Sequence, residues 1–293
     1  MSDLSAGRLA QVACVLEASA RKPGNVHRYA DFPDLDYLDF MLAAGAVAGP
    51  LDRAAGEGVG DAVLAAVEAT RRVVATNANL GIILLLAPMA AVPPGVPLAE
   101  GLARVLAATT VDDARLVYRA IREANPGGLG RAEDQDVAEE PTVTLRDAMI
   151  LAADRDLIAL QYANGFTEVL GEGLPTLRRH IDAGRPLETA IVGVGLDLLA
   201  KHPDSLIARK TDRRTAEGAS RRAREVLDAG WPDAAEGRER LEAFDRWTRA
   251  DGTRRNPGTT ADLVAAVLFA ALRDGTIGLP RPAGPLAWSG VRG

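Results

Sequence analysis

Asn256-Pro257-Gly258-Thr259-Thr260-Ala261-Asp262-Leu263 sets a turn signal directly before a helical pattern. Asn-Pro-Gly interrupts regular structure, and Leu263, Val264, Val267, Leu268 and Leu272 then recur at helical spacing. Thr259 and Asp262 stand three residues apart, as in a capping box. A helix N-terminus presents free backbone N–H groups and the positive end of the dipole, and so receives an anion such as a phosphate. The plain alternative is a well-capped helix start, in which Gly258 serves only the turn.

Three further polar segments have the same character. The first is Arg21-Lys22-Pro23-Gly24-Asn25-Val26-His27-Arg28-Tyr29, followed by Asp31, Asp34, Asp36 and Asp39. The second, Thr76-Asn77-Ala78-Asn79-Leu80-Gly81, precedes the apolar run from Ile82 to Ala87. The third is Asp204-Ser205-Leu206-Ile207-Ala208-Arg209-Lys210. Lys22, Arg28, Arg209, Lys210 and Arg255 are the candidates for phosphate, with His27 beside them; taken singly, each is an ordinary surface charge. Asn77 and Asn79 could hold a ribose or a base edge, or simply cap a helix. Asp34 and Asp36 are the first candidates for a metal ion or a general base, against a reading in which they open a helix. Asp154 lies in a run, Thr144 to Phe166, that reads as one helix. In such a helix Asp154, Ile158 and Gln161 share a face. Aspartate is a poor helix former, so Asp154 and Asp156 inside it mark a candidate site.

These groups need a scaffold, and the chain reads as helical throughout. Helices are expected over Leu9–Ala20, Tyr37–Val47, Asp61–Ala75, Leu80–Ala90, Leu98–Ala108 and Val111–Ala124. Beyond Thr144–Phe166 they continue over Leu174–Ala183, Leu187–Lys201, Thr215–Ala229, Ala234–Ala250 and Thr260–Asp274. Thr110 with Asp113, and Thr144 with Asp147, have capping-box spacing. No run alternates as a strand would. The expectation is a single all-α domain over residues 1–293, of about a dozen helices. One irregular loop near 125–143 carries Asn125-Pro126-Gly127-Gly128 and an acidic stretch. It is read as a lid or ordered surface loop rather than a linker, because the polar segments lie on both sides of it.

Composition narrows the possibilities. Hydrophobic residues make up 47% but aromatics only 4%, so the core must be Ala, Leu and Val, packed closely. A net charge of -6 argues against a broad nucleic-acid footprint. The single cysteine, Cys14, allows no intrachain disulfide and reads as a core thiol. His27, His180 and His202 are too dispersed in sequence for a zinc motif, which leaves a hard ion on carboxylates, such as Mg²⁺. The apolar run Gly81 to Val92 contains Pro88 and is too short to span a bilayer. The N-terminus lacks the features of a signal peptide. A cytoplasmic protein with no membrane partner is expected. Oligomeric state is not legible.

Taken in order, the four segments resemble the triphosphoribosyl-dephospho-CoA synthase family. Lys22-Pro23-Gly24 and Asp34-Leu35-Asp36 match its N-terminal Lys-Pro-Gly and Asp-x-Asp. Thr76-Asn77-Ala78-Asn79-Leu80-Gly81 stands at its Asn-Thr-His-x-Gly segment, with no histidine at that place. Arg255-Asn256-Pro257-Gly258 running to Ala261-Asp262-Leu263 matches its C-terminal segment. Asp31-Phe32-Pro33 replaces a Gly-Ala-His, and Asp204-Ser205 with Arg209-Lys210 replaces an Asp-Thr-Asn with a later His-Arg, the pattern of a divergent branch.

The resemblance implies an enzyme that cuts ATP at C1′ of its ribose. It would transfer the triphosphoribosyl group to a hydroxyl of dephospho-CoA or a related acceptor and release adenine. An oxocarbenium-like transition state favours a nearby carboxylate, for which Asp34, Asp36 and Asp154 are the candidates. An intact triphosphate calls for Mg²⁺, on Asp34 and Asp36, and for Lys and Arg. Lys22, Asn25, His27, Arg28, Asn77, Asn79, Asp204, Ser205, Arg209, Lys210, Arg255, Asn256, Gly258, Thr259, Thr260 and Asp262 are the nucleotide-binding candidates. Alternatives are a (phospho)ribosyltransferase acting on an arylamine or pterin precursor, and a non-catalytic nucleotide-binding protein. No Gly-x-x-x-x-Gly-Lys-Ser/Thr loop is present, which argues against P-loop hydrolysis.

Overall fold

The computed structural model describes residues 4–126, 130, 132 and 134–278. Within them the chain forms α1 (Ala6–Ser19), α2 (Tyr37–Ala46), α3 (Ala48–Glu57), α4 (Val59–Arg71), α5 (Leu80–Ala91), α6 (Leu98–Ala107) and α7 (Val111–Ala124). After the loop come α8 (Leu145–Ala152), α9 (Leu157–Asn164), a π-helical turn (Thr167–Gly173), α10 (Leu174–Asp182) and α11 (Leu187–Lys201). The last part is α12 (Ser205–Lys210), α13 (Arg213–Asp228), α14 (Ala235–Arg249), a 3-10 turn (Gly252–Arg255) and α15 (Gly258–Asp274). Among the described residues there is no strand. The extended pairings are two isolated bridges, His27 with Ala30 and Phe32 with Leu35.

Helices α5 and α15 are apolar on nearly every side and bury almost their whole length. A helix of that kind must be surrounded by others. α15 lies against α1, α5 and α11, and α5 lies against α3 and α4. Small residues set the close approaches. A side-chain carbon on Gly7 of α1 would fall 1.8 Å from the Ala48 carbonyl oxygen of α3, so only glycine fits there. One buried apolar cluster runs through the molecule from Leu9 to Ile277.

Pro88 sits inside α5 and has no N–H to give to the carbonyl of Leu84, one turn earlier. The fully buried Tyr162 of α9 supplies the missing donor: its hydroxyl bonds the Leu84 oxygen at 2.6 Å. This cross-helix bond satisfies a carbonyl that would otherwise be orphaned in the core.

The structure departs from the sequence expectation at several elements. Thr144–Phe166 is not one helix. It breaks between Ala152 and Leu157, where the Asp156 side chain accepts from the backbone N–H groups of Ile158 and Ala159 and starts α9 afresh. Aspartate bonding to its own following backbone competes with helix continuation. Helix α3 was not among the expected helices; its Gly49 and Pro50 lie in the first turn, where proline is tolerated. Helix α12 and the π-helical turn were likewise not expected. Of the loop near 125–143, residues 127–129, 131 and 133 lie outside the described residues. The rest is held to α7: the Tyr118 hydroxyl donates to the Gln135 oxygen at 2.6 Å and Arg122 to the Val137 oxygen at 2.6 Å.

Candidate active site

A cavity of about 680 Å³ opens where the end of α1, the segments before α2 and α5, helices α8, α9 and α12, and the start of α15 converge. The loop leaving α7 walls one side through Ala132 and Gln135. Leu35, Phe40, Leu84, Ile121, Met149 and Ile158 make an apolar flank. Glu17, Asn25, Asp156, Arg209, Asn256 and Asp262 are among its polar lining residues. A mostly apolar recess with a few placed polar groups is what a sizeable organic ligand requires.

Long-range bonds build the polar part. Asn25 donates to the Asn256 side-chain oxygen at 2.7 Å, joining the first polar segment to the last. Arg249 of α14 donates to the Asn25 carbonyl and fixes that turn from behind. Asp204 is fully buried and caps two helices at once. One oxygen accepts from the Ile207 N–H at 3.0 Å, at the start of α12. The other accepts from the Thr260 N–H at 2.7 Å and the Thr260 hydroxyl at 2.8 Å, at the start of α15. Burial raises its pKa, against the lowering effect of these bonds.

The expected Thr259–Asp262 capping box therefore does not form. Pro257 precedes α15, no side chain of that segment caps it, and Asp204 has taken the position from a distant part of the chain. The Thr260 N–H, expected to meet a phosphate, is engaged. Thr259 instead accepts from the Ser205 hydroxyl at 3.0 Å. Gly258 has no need of a left-handed backbone; what it gives is space, since a side-chain carbon there would lie 2.5 Å from the tip of Leu206.

Of the residues singled out by sequence, Asn25, Asp34, Asn77, Asn79, Arg209, Lys210, Asn256, Gly258, Thr259 and Asp262 line the cavity. Asp34 is exposed there, while Asp36 turns away to cap α2 through the Asp39 N–H at 2.9 Å. Asp154 is not on a helical face with Ile158 and Gln161. It stands in the break before α9, exposed, beside Arg155. Lys22 is not free for phosphate: it is 3% exposed and its ammonium bonds Glu17 at 2.7 Å. His27 is buried in a turn, where Nδ1 accepts from the Tyr29 N–H at 3.3 Å, and its pKa is pushed down to about 4 by burial and by Arg249. Arg28 covers the ring of Tyr29, and Arg255 covers that of Trp247. Asp204, Ser205 and Thr260 lie behind the wall and hold it in shape.

Glu17 and Arg155 are among the lining residues not singled out from sequence, and Asp156, read there as part of a continuous helix, also reaches the cavity. Asp156 pairs with Arg209. Glu17 left a signal, a lone acid on the buried stripe Ala10, Ala13, Cys14 and Ala18 of α1. Cys14 beside it is buried, and its thiol pKa is pushed up by that burial. Asp262, in the first turns of α15, points at the start of α5, where a side chain on Gly81 would lie 2.0 Å from its Oδ2. Burial raises the Asp262 pKa well above the usual carboxylate range, and the nearby charges of Glu17 and Asp204 raise it further.

Away from this cavity, Glu168, Glu172 and His202 bring ligand-type atoms within 4.8 Å of one another. That group is already occupied. Asn164 and Gln161 donate to Glu168, and the Lys201 ammonium lies 3.2 Å from Glu172. No described helix is long and apolar enough to cross a membrane.

Comparison with known proteins agrees with this arrangement. Residues 3–280 match the CitG family, described as ATP:dephospho-CoA triphosphoribosyl transferase. A protein of Pseudomonas fluorescens (strain Pf0-1), named "probable 2-(5''-triphosphoribosyl)-3'-dephosphocoenzyme-A synthase", is 33% identical over 105 residues. That stretch spans 36% of this chain and 36% of the relative. The crystal structure of an Archaeoglobus fulgidus protein, described as a "putative triphosphoribosyl-dephospho-coA synthase", superposes with a TM-score of 0.61 at 26% identity. It covers 80% of this chain and 98% of the other. The family match extends over nearly the whole sequence and takes in every segment that walls the cavity, and on that ground the chain belongs to the CitG family of ATP:dephospho-CoA triphosphoribosyl transferases.

Proposed function

We propose that this chain transfers the 5-triphosphoribosyl group of ATP to a hydroxyl of dephospho-CoA and releases adenine. The observation that carries this reading is convergence. Asn25, Asn77, Arg209, Asn256 and Asp262 come from four segments far apart in sequence, and all reach one cavity. The volume and the apolar flank suit an acceptor with a long, partly apolar arm as well as a nucleotide.

Lys210, Arg209 and Arg155 are the lining cations suited to the triphosphate. Lys210 also reaches the Thr253 carbonyl at 3.3 Å, and burial lowers its pKa. Magnesium is commonly bound by one or two carboxylates together with substrate phosphates. Asp34 fits that use, being exposed at the cavity and unbonded to other described residues. The bound ion would neutralise phosphate charge. Asp36, which caps α2 through one oxygen, could join it only through the other. Both substrates are intracellular metabolites, and a cytoplasmic setting is proposed with them.

The test is chromatography of ATP incubated with dephospho-CoA. Free adenine and a triphosphoribosylated product, without ADP or AMP, is the expected result. ADP or AMP as the nucleotide product would overturn the reading.

A further inference from the structure

Four acidic side chains cluster around the polar end of the cavity, and two of them are fully employed. Asp204 spends both oxygens on helix starts. Asp156 caps α9 with one oxygen and pairs with Arg209 through the other. Glu17 and Asp262 are different. Glu17 is held by Lys22 through Oε1, leaving its second oxygen without a protein partner among the described residues, and it lines the cavity. Asp262 lines the same cavity, and its carboxyl has no hydrogen-bond partner among the described residues.

Asp262 is half-buried at the cavity wall, so its unbonded carboxyl faces the cavity, where a ligand can meet it. The surroundings of Asp262 keep it available. Asp204 has relieved it of the capping role its spacing from Thr259 suggests. Gly81 leaves room for it at the start of α5, where any side chain would collide with Oδ2. Neighbouring carboxyls in unlike environments divide into a proton donor and a proton acceptor. Here one has a buried ammonium as its partner and the other has none.

We propose that Glu17 and Asp262 are the proton-transfer pair of this cavity, Asp262 giving a proton to the departing purine and Glu17 taking one from the incoming hydroxyl. This rests on the ribosyl transfer proposed above. The C1′–N9 bond breaks and its electron pair goes to adenine, whose ring nitrogen takes the Asp262 proton. The acceptor oxygen bonds C1′ and its proton passes to the Glu17 carboxylate, which until then faces the positive charge developing on the ribose. A proton returning from Glu17 to Asp262 through water in the shared cavity restores both. Burial and the neighbouring charges of Glu17 and Asp204 displace the Asp262 pKa upward, in the direction that favours its protonated form.

The experiment compares ATP with 7-methyl-ATP, whose base leaves without being protonated. Adenine or 7-methyladenine release is followed with dephospho-CoA and with water alone as acceptor. For Asp262→Asn, kcat on ATP should fall about 10²- to 10⁴-fold with KM little changed, and kcat on 7-methyl-ATP should stay within about tenfold of the parent. Asp262→Ala should show the same split if the Asn variant does not fold. Glu17→Gln should lose activity on both nucleotides. Equal losses on both nucleotides for Asp262→Asn, or a raised KM with kcat intact, would overturn the assignment. Base release by the parent with water but no transfer to dephospho-CoA overturns the acceptor and leaves the pair standing. No base release under either condition overturns both.

Discussion

Asp204→Ala tests whether one buried carboxylate organises the site. The substitution removes three hydrogen bonds, from the N–H of Ile207 and from the N–H and hydroxyl of Thr260. Loss of one N-cap costs about 1 kcal/mol, ranging up to about 2, and a donor left buried without a partner costs about 1–3 kcal/mol. Two caps vanish at a site with no access to bulk water. Removing a buried charge offsets part of the loss, as the raised pKa of Asp204 indicates. The net expectation is a loss of about 3–4 kcal/mol. In a chain of this size each kcal/mol shifts Tm by about 2–4 °C, so the fall should be roughly 6–16 °C. Denaturant unfolding gives the free energy directly, with an unchanged m-value showing that the unfolding unit is the same. Asp212→Ala is the control. Asp212 caps α13 through the Thr215 N–H at 2.7 Å on an exposed surface, and its loss should cost only about 1 kcal/mol. Equal losses for the two variants would refute the argument that Asp204 holds two helix starts together.

Tyr162→Phe should lower stability by about 1–3 kcal/mol in denaturant melts, because the Leu84 carbonyl freed by Pro88 loses its donor; a neutral result would mean water replaces the hydroxyl. His27 is neutral when folded, with a pKa of about 4 against 6.5 ordinarily, so the unfolded chain binds the proton first. Stability should be unaffected above pH 6.5 and fall as the pH drops from 6.5 towards 4, by up to about 3 kcal/mol. His27→Asn should flatten that part of the profile in pH-dependent melts, and an unchanged slope would assign it to other groups. Asp34→Asn should weaken ATP binding measured by calorimetry in the presence of Mg²⁺ and leave metal-free binding nearly unaltered; equal effects in both conditions would remove Asp34 from the metal.

The helical scaffold was legible from the residues alone, since apolar spacing and local capping are short-range properties. Thr110 with Asp113 forms the expected capping box, and Thr144 accepts from the Asp147 N–H as its spacing implied. The four polar segments were legible as well, and each brings residues to the cavity. Tertiary structure decided what those residues do. Thr259 and Asp262 have the same spacing as Thr110 and Asp113, yet Asp204, distant in sequence, caps α15 and frees Asp262 for the cavity. Lys22 and His27 looked like phosphate ligands and are buried instead, one against Glu17 and one in a turn under Arg249. Glu17 was visible only as an acid on an apolar stripe; Lys22, its partner, lies five residues on, but its place on the cavity wall arises where α1 packs against α15. Burial and long-range hydrogen bonding depend on which segments meet in space, and local spacing carries no record of that.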